Sequence, residues 1–178
     1  MPASHAPSGF GRPYYRSRGM DRTTRRKYTM AEDNAIQEHS AGGVVLKGHG
    51  GNVHVAVMQS RYGTWVFPKG GLECGEEPEQ TAKREIAEEI GIRDARMIVP
   101  LGLTEHEYRR EGSLRRKKVD WFLFRAPAEA TLRPDLNENS LDCGWFIPEQ
   151  ALILLSHDSQ RRILRRALKK ARGEKIDT

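Results

Sequence analysis

Cysteine is scarce in this chain. Cys74 and Cys143 are the only two in 178 residues, too few for the disulfide framework of a small secreted domain, and a reducing cytoplasm is the expected setting. Long apolar runs are missing as well. The longest, Ala151–Leu155, falls far short of the ~20 residues that span a bilayer; it reads as a buried helix segment, and no membrane role is expected. No secretory apolar stretch stands at the start. Acid is nearly absent from residues 1–30, where Asp21 faces six arginines and Lys27. That segment holds the whole excess behind the net charge of +6, so the rest of the chain is neutral overall. It is rich in Ser, Pro, Gly and Tyr without apolar periodicity, which predicts a disordered basic tail over 1–35 ahead of a single domain over 36–178. Three readings of the tail stay open: an inert extension with Met20 or Met30 as the start, an arm for nucleic acid or another polyanion, and an Arg-rich transit peptide.

What is present is concentrated in residues 70–92. Pro78 suits a first helical position, where its missing N–H has no partner to lose. Glu77 and Glu79 set negative charge at the same end, where the helix dipole favours it, and Gly91 supplies a left-handed stop. Ala82, Ile86 and Ile90 recur every fourth residue and form an apolar stripe. Glu85, Glu88 and Glu89 stand at i, i+3 and i+4 and project from one neighbouring face. Like charges so placed weaken an isolated helix. They make sense around a hard divalent cation, and oxygen donors of this kind suit Mg²⁺ or Mn²⁺. A solvated acidic helix face is the plainer alternative.

The wider pattern decides between them. Gly70, then Glu76, then Arg84-Glu85-Ile86, Ala87, Glu88-Glu89, Ile90 and Gly91-Ile92 resemble the Nudix box, with every position of that family's pattern filled. At the ~6% usage of a typical residue type, seven fixed residues match by chance with a probability on the order of 10⁻⁹ per start position. The resemblance implies an α+β Nudix fold over about residues 36–170, with a mixed β-sheet sandwiched between α-helices, and hydrolysis of a phosphoanhydride. It implies metal ligation by Glu85, Glu88 and Glu89, with Arg84 holding the loop and orienting a carboxylate. It also implies that Gly70 offers its carbonyl near the metal and that Glu76 fixes the loop or reaches a metal through water.

Outside the box, His39–Leu46, Asn52–Gln59, Thr64–Pro68, Arg96–Tyr108, Lys118–Phe124 and Gly144–Ile147 read as strands, Asn52–Gln59 half-buried with Val53, Val55 and Val57 on one face. Helices are expected from Pro148 to Leu155 and from Gln160 to Ala171, capped by Asp158 or Ser159. The second helix carries arginines and lysines around Ile163, Leu164, Ala167 and Leu168: an amphipathic helix on the core, or an RNA-contacting face. No internal repeat or second domain is visible.

Two features bear on the substrate. Trp65-Val66-Phe67-Pro68-Lys69-Gly70 is similar to the segment leading into the box in hydrolases of diadenosine polyphosphates and of diphosphoinositol polyphosphates. There Lys69, with Arg61 nearby in sequence, offers charge to a phosphate; Trp65 and Phe67 read as core. The second is a basic stretch, expected as a loop from Arg109 to Lys117. Its Arg116, Lys117 and Lys118 are candidates to grip a polyphosphate, and Tyr108 a candidate to stack on an adenine. Glu138 is the candidate catalytic base outside the box, with Glu105, Glu107 and Asp142 as rivals. Gly144 departs from the larger charged residue that related enzymes often have there. The leading expectation is metal-dependent hydrolysis of dinucleoside polyphosphates, diphosphoinositol polyphosphates, or both. The rivals are an RNA 5′-pyrophosphohydrolase, a nucleotide-pool sanitising pyrophosphohydrolase, and a non-catalytic Nudix ligand sensor. A small polyphosphate is the expected partner, and nucleic acid through the tail is not favoured.

Overall fold

A computed structural model of the chain describes residues 35–134 and 140–173. Its spine is β1 (Ile36–Lys47). One edge of β1 pairs in parallel with β6 (Ser113–Arg125), from Ile36↔Arg115 to Leu46↔Arg125. The other edge is shared: β4 (Lys69–Gly71) takes Ser40–Gly42, and β2 (His54–Ser60) takes Leu46 and Lys47. β3 (Trp65–Val66) and β7 (Ser140–Phe146) flank β2, and β5 (Arg96–Arg110) flanks β6, completing a mixed seven-stranded sheet. Where the partner of β1 changes from β4 to β2, the backbones come close. The Gly43 N–H donates to the Pro68 carbonyl at 3.1 Å, and a Cβ on Gly42 would lie 2.5 Å from that same oxygen. Glycine is required there because any side chain would push residues 68–70 off the sheet.

Strand alternation sorts the core into two layers. Val44, Leu46, Val55, Val57, Val119, Trp121 and Leu123 face α2 (Pro148–Leu154) and α3 (Asp158–Ala171), meeting Ala151, Ile163, Leu164 and Ala167. Ala41, Val45, Ala56, Met58 and Phe124 face α1 (Pro78–Ile90), meeting Ala82, Ile86 and Ile90. Both sides of β2 are buried, so the half-buried alternation expected for it is too modest. Ile86 and Ile90 are fully buried, each contributing about 1.5–3 kcal/mol by leaving water. The sandwich, the apolar stripe of α1 and the amphipathic α3 are as expected. Pro78 opens α1, Gly91 closes it at φ 77°, and the Glu77 N–H is satisfied by Gln80 Oε1 at 2.9 Å.

One expectation is corrected. The stretch from Arg109 to Lys117 is not a loop. β5 and β6 run on as a hairpin closed by Glu111-Gly112, both at positive φ (53° and 78°), the backbone signature of a tight type I′ turn. Gly112 takes that geometry freely. The basic residues are therefore strand residues, and strand alternation sends neighbours to opposite faces. Among the described residues, no helix is long and apolar enough to cross a membrane.

Candidate functional site

The acidic face of α1 lies against β4, and Arg84 organises it. All five guanidinium N–H groups have acceptors. Nε and Nη2 fork onto the Glu76 carboxylate at 2.8 and 2.9 Å. Nη2 also reaches the Gly71 carbonyl at 3.0 Å. Nη1 donates to Glu85 Oε1 at 2.7 Å and to Glu88 Oε2 at 3.0 Å. Glu76 further accepts the Glu73 N–H at 3.0 Å and the Thr81 hydroxyl at 2.8 Å. The Arg84 fork chiefly, then those two donors, holds the Glu76 carboxyl down to about 2. Glu76 thus folds the loop onto the helix, one of the two roles expected for it.

Glu85 and Glu89 are buried, and Glu88 is exposed on its outer side. Glu89 Oε2 accepts the Lys69 backbone N–H at 2.8 Å. Gly70 is flush with the next carboxylate: a Cβ there would fall 2.0 Å from Glu85 Oε1. Glycine is thus the residue that lets β4 backbone meet the acidic face. Among the described residues, no three acidic, His or Cys side chains converge closely enough to form a ligand cluster by themselves. Arg84 stands between Glu85 and Glu88, and Glu89 turns to β4. Glu76, Glu85 and Glu88 share the Arg84 guanidinium, and Glu85 and Glu89 also lie within electrostatic reach of the Lys69 ammonium.

Two recesses open beside this face. One, of about 400 Å³, is bordered by Ser60, Arg61, Tyr62, Thr64, Gly70 and Glu89. The other, of about 600 Å³, is bordered by Thr104, Glu105, His106, Tyr108, Trp121 and Arg162. Lys69, Lys117 and His157 line both and form the divide between them. Burial chiefly, and Lys117 next, push the Lys69 ammonium below its ordinary value, while Glu89 and Glu85 oppose the shift. Burial, Lys117 and Lys69 likewise lower His106, so this divide repels further positive charge and is primed for an anion.

The sequence candidates divide between the recesses and other surfaces. Arg61 lies in the smaller recess, its guanidinium 4.9 Å from the Tyr62 ring centre and donating to the Tyr62 hydroxyl at 2.7 Å. Tyr108 lines the larger one with its ring stacked on His106 at 5.9 Å. Its hydroxyl is tied to Glu38 at 2.8–2.9 Å, and Arg115 holds the same carboxylate at 2.7 Å. Of the basic strand residues only Lys117 reaches the recesses. Arg116 pairs with Glu107 at 2.6 Å and Lys118 with Asp120 at 3.4 Å, on the alternate face of β6. The expected common grip is therefore corrected: Lys117 stands with Lys69 at the recesses, while Arg116 and Lys118 lie on the other face of β6. Trp65 packs edge-on to Phe146 at 5.6 Å and Phe67 edge-on to Trp121 at 6.1 Å, as core. Glu138 lies outside the described residues. Of its rivals, Glu105 borders the larger recess, Glu107 is paired with Arg116, and Asp142 accepts the Cys143 N–H at 2.8 Å.

Sequence reasoning missed Glu38, His106, His157 and Gln160. Gln160 is buried and accepts the Phe67 N–H at 2.8 Å, and Ser156 accepts that of Trp65 at 3.0 Å. Together they pin the segment leading to Lys69 against the start of α3. No local pattern signals these residues, since each acts through a partner about seventy or more positions away or across a recess.

Comparison with known proteins agrees with the fold. The family model described as NUDIX domain matches residues 37–167. MutT4 of Mycobacterium tuberculosis is 35% identical over 92% of this chain, and the chain spans 66% of that protein's length. RNA pyrophosphohydrolase of Pseudoalteromonas translucida is 29% identical, over 69% of this chain and 80% of that protein. Among solved structures, an Ap4A hydrolase of C. elegans in binary complex superposes with a TM-score of 0.65 at 21% identity, covering 76% of this chain and 98% of the other.

Proposed function

This chain belongs to the Nudix family, and from that premise we propose that it is a pyrophosphohydrolase of dinucleoside polyphosphates, diphosphoinositol polyphosphates, or both. The observation that carries the reading is the pair of recesses sharing Lys69, Lys117 and His157. A ligand with two bulky ends joined by a phosphate chain matches two hollows separated by a basic divide. Tyr108 with His106 offers an aromatic wall to a base at one end, and Tyr62 with Arg61 offers one at the other. The solved Ap4A hydrolase of similar fold is in keeping with this.

Family hydrolases generally use divalent metals, and the residues here fit one. Glu85, Glu88 and Glu89 supply hard oxygen donors suited to Mg²⁺ or Mn²⁺, and the Gly70 backbone lies flush with Glu85. When bound, such an ion supplies neutralisation of phosphate charge and activation of a water. The chain's own residues do the rest. Arg84 holds Glu85 and Glu88 in place through two bonds of one nitrogen, keeping their carboxylates from drifting apart under mutual repulsion. The Lys69 N–H orients Glu89. The Lys69 and Lys117 ammonium groups take phosphate oxygens beside Glu89 and align the scissile anhydride. Glu138 is proposed as the base that takes a proton from the attacking water.

A second reading, an RNA 5′-pyrophosphohydrolase, is favoured by the relative of that activity at 29% identity. Ion-exchange product analysis separates the two. Wild type and Glu89→Gln are incubated with diadenosine polyphosphates, a diphosphoinositol polyphosphate, triphosphorylated RNA and an oxidised nucleoside triphosphate, with Mg²⁺ or Mn²⁺. Cleavage of the first two classes, lost in the variant, is the expected result. Cleavage confined to RNA supports the second reading, and cleavage confined to the oxidised nucleotide points to a sanitising role. Binding without any turnover sinks the hydrolase proposal.

A further inference from the structure

A hollow of about 860 Å³ plays no part in the site above. It lies between the turn joining β1 to β2 and the C-terminal half of α3. The catalytic recesses meet α3 at Ser159, Gln160 and Arg162, whereas this hollow meets it at Arg165, Leu168, Lys169 and Arg172. The hollow and the recesses have no lining residue in common, and the nearest residues they take from α3, Arg162 and Arg165, lie about 4.5 Å apart along the helix axis. The two places are separate.

Its chemistry is two-sided. The floor is apolar, formed by Val53, Leu152, Leu168 and Ala171. The rim is basic: Arg125, Arg165, Lys169 and Arg172 line it together with His49, and Glu149 is the acidic residue among the lining residues. Arg125 is a fixed part of the wall, because its guanidinium donates to the Gly48 carbonyl. Arg165 and Lys169 are exposed, and their side chains make no ion pair or hydrogen bond among the described residues. Gly50 and Gly51 add open backbone with no side chain on the facing lip: a Cβ built on either meets nothing within 4 Å. Four cations around an apolar floor are more charge than solubility of an otherwise neutral domain requires, and their convergence on one hollow selects an anion with a flat apolar body.

We propose that this hollow is a second ligand site, distinct from the catalytic recesses, that takes a nucleoside phosphate with its base on Leu152 and Leu168 and its phosphates on Arg165, Lys169 and Arg125. Arginine suits both halves of such a ligand, since the guanidinium forks onto phosphate and its plane stacks on a base. The proposal stands without the substrate assignment above, since it uses none of those residues. A nucleotide in solution and the nucleotides of an RNA chain share this chemistry, and the free nucleotide is the one assigned here, because the hollow is bounded on both sides by the turn and by α2.

The test is calorimetric titration of the full chain with adenosine 5′-(α,β-methylene)diphosphate. Wild type is expected to bind two equivalents. The double variant Arg165→Glu/Lys169→Glu is expected to bind one, the lost site being roughly tenfold weaker or worse after reversal of two exposed charges. Its kcat, KM and Tm should stay at wild-type values, because both side chains are exposed and outside the recesses. Lys117→Ala should weaken the other equivalent and spare this one. A double variant that binds as many equivalents as wild type, with undiminished affinity, overturns the proposal, whatever the catalytic recesses bind. A 5′-monophosphorylated ten-nucleotide RNA is titrated in parallel. If the double variant loses the RNA while keeping both equivalents of the free analogue, the free-nucleotide assignment is overturned in favour of RNA.

Discussion

Replacing Arg84 by Ala removes five hydrogen bonds at once, to Glu76, Gly71, Glu85 and Glu88. It leaves Glu85, only 9% exposed, as a buried carboxylate without its cation. Stripping one partner from a buried ion pair costs about 3–5 kcal/mol. The Arg84 side chain is 22% exposed, so water offsets part of the loss and about 3 kcal/mol is the expected cost. In a domain of this size each kcal/mol moves Tm by about 2–4 °C, which puts the fall at about 6–12 °C. Turnover should drop about a hundredfold, the effect of letting aligned groups drift by an ångström. Arg84→Lys keeps the charge but has three donors for five acceptors and cannot fork, so it should recover less than half of the lost stability and little of the rate. Differential scanning calorimetry and steady-state kinetics on the three proteins provide the test. An Arg84→Ala variant within about 2 °C of wild type, or an Arg84→Lys variant equal to wild type in both measurements, refutes the view of Arg84 as the organiser of the acidic face.

Acid should weaken the fold through Glu76. Its folded value of about 2 lies below the ordinary 4.5, so its stabilisation is present above pH 4.5 and is lost as pH falls from there through 2; Tm of Glu76→Gln should lack this part of the decline, and parallel Tm–pH curves for variant and wild type would refute it. Gly43→Ala should cost about 1–3 kcal/mol by overpacking, because the new methyl would lie 2.5 Å from Ile86 Cδ1 and 2.8 Å from Phe124 Cδ2; an unchanged urea midpoint contradicts the tight seating of α1 on β1. Lys117→Ala should raise KM severalfold, more for longer polyphosphates, while Arg116→Ala leaves it unchanged; equal effects of the two would refute the assignment of these neighbours to opposite faces.

How much of this was legible from residue order varies with the range of the interaction. The helix Pro78–Ile90, its proline start, its glycine stop and its buried stripe follow from neighbours within four positions, and so were readable directly. The organising contact of the site was also readable in part, because Arg84, Glu85 and Glu88 lie on one helix and Glu76 only eight residues away. The hairpin was misjudged because dense charge resembles a loop, although Glu111-Gly112 suits a tight turn and the alternation on both sides of it is regular.

By itself the sequence determined the acidic helix, which rests on side chains at fixed helical spacing, and, through the full box pattern, the family and the kind of bond that the family resemblance implies. Only the tertiary structure decided that Lys117 joins Lys69 while Arg116 and Lys118 turn away. It also placed Glu38 on Tyr108, and set Gln160 to hold the backbone of Phe67. Those outcomes depend on the register of β1 against β6 and on the seating of α3 across the sheet, and both are fixed by the summed packing of residues far apart in the chain. No local spacing encodes that sum.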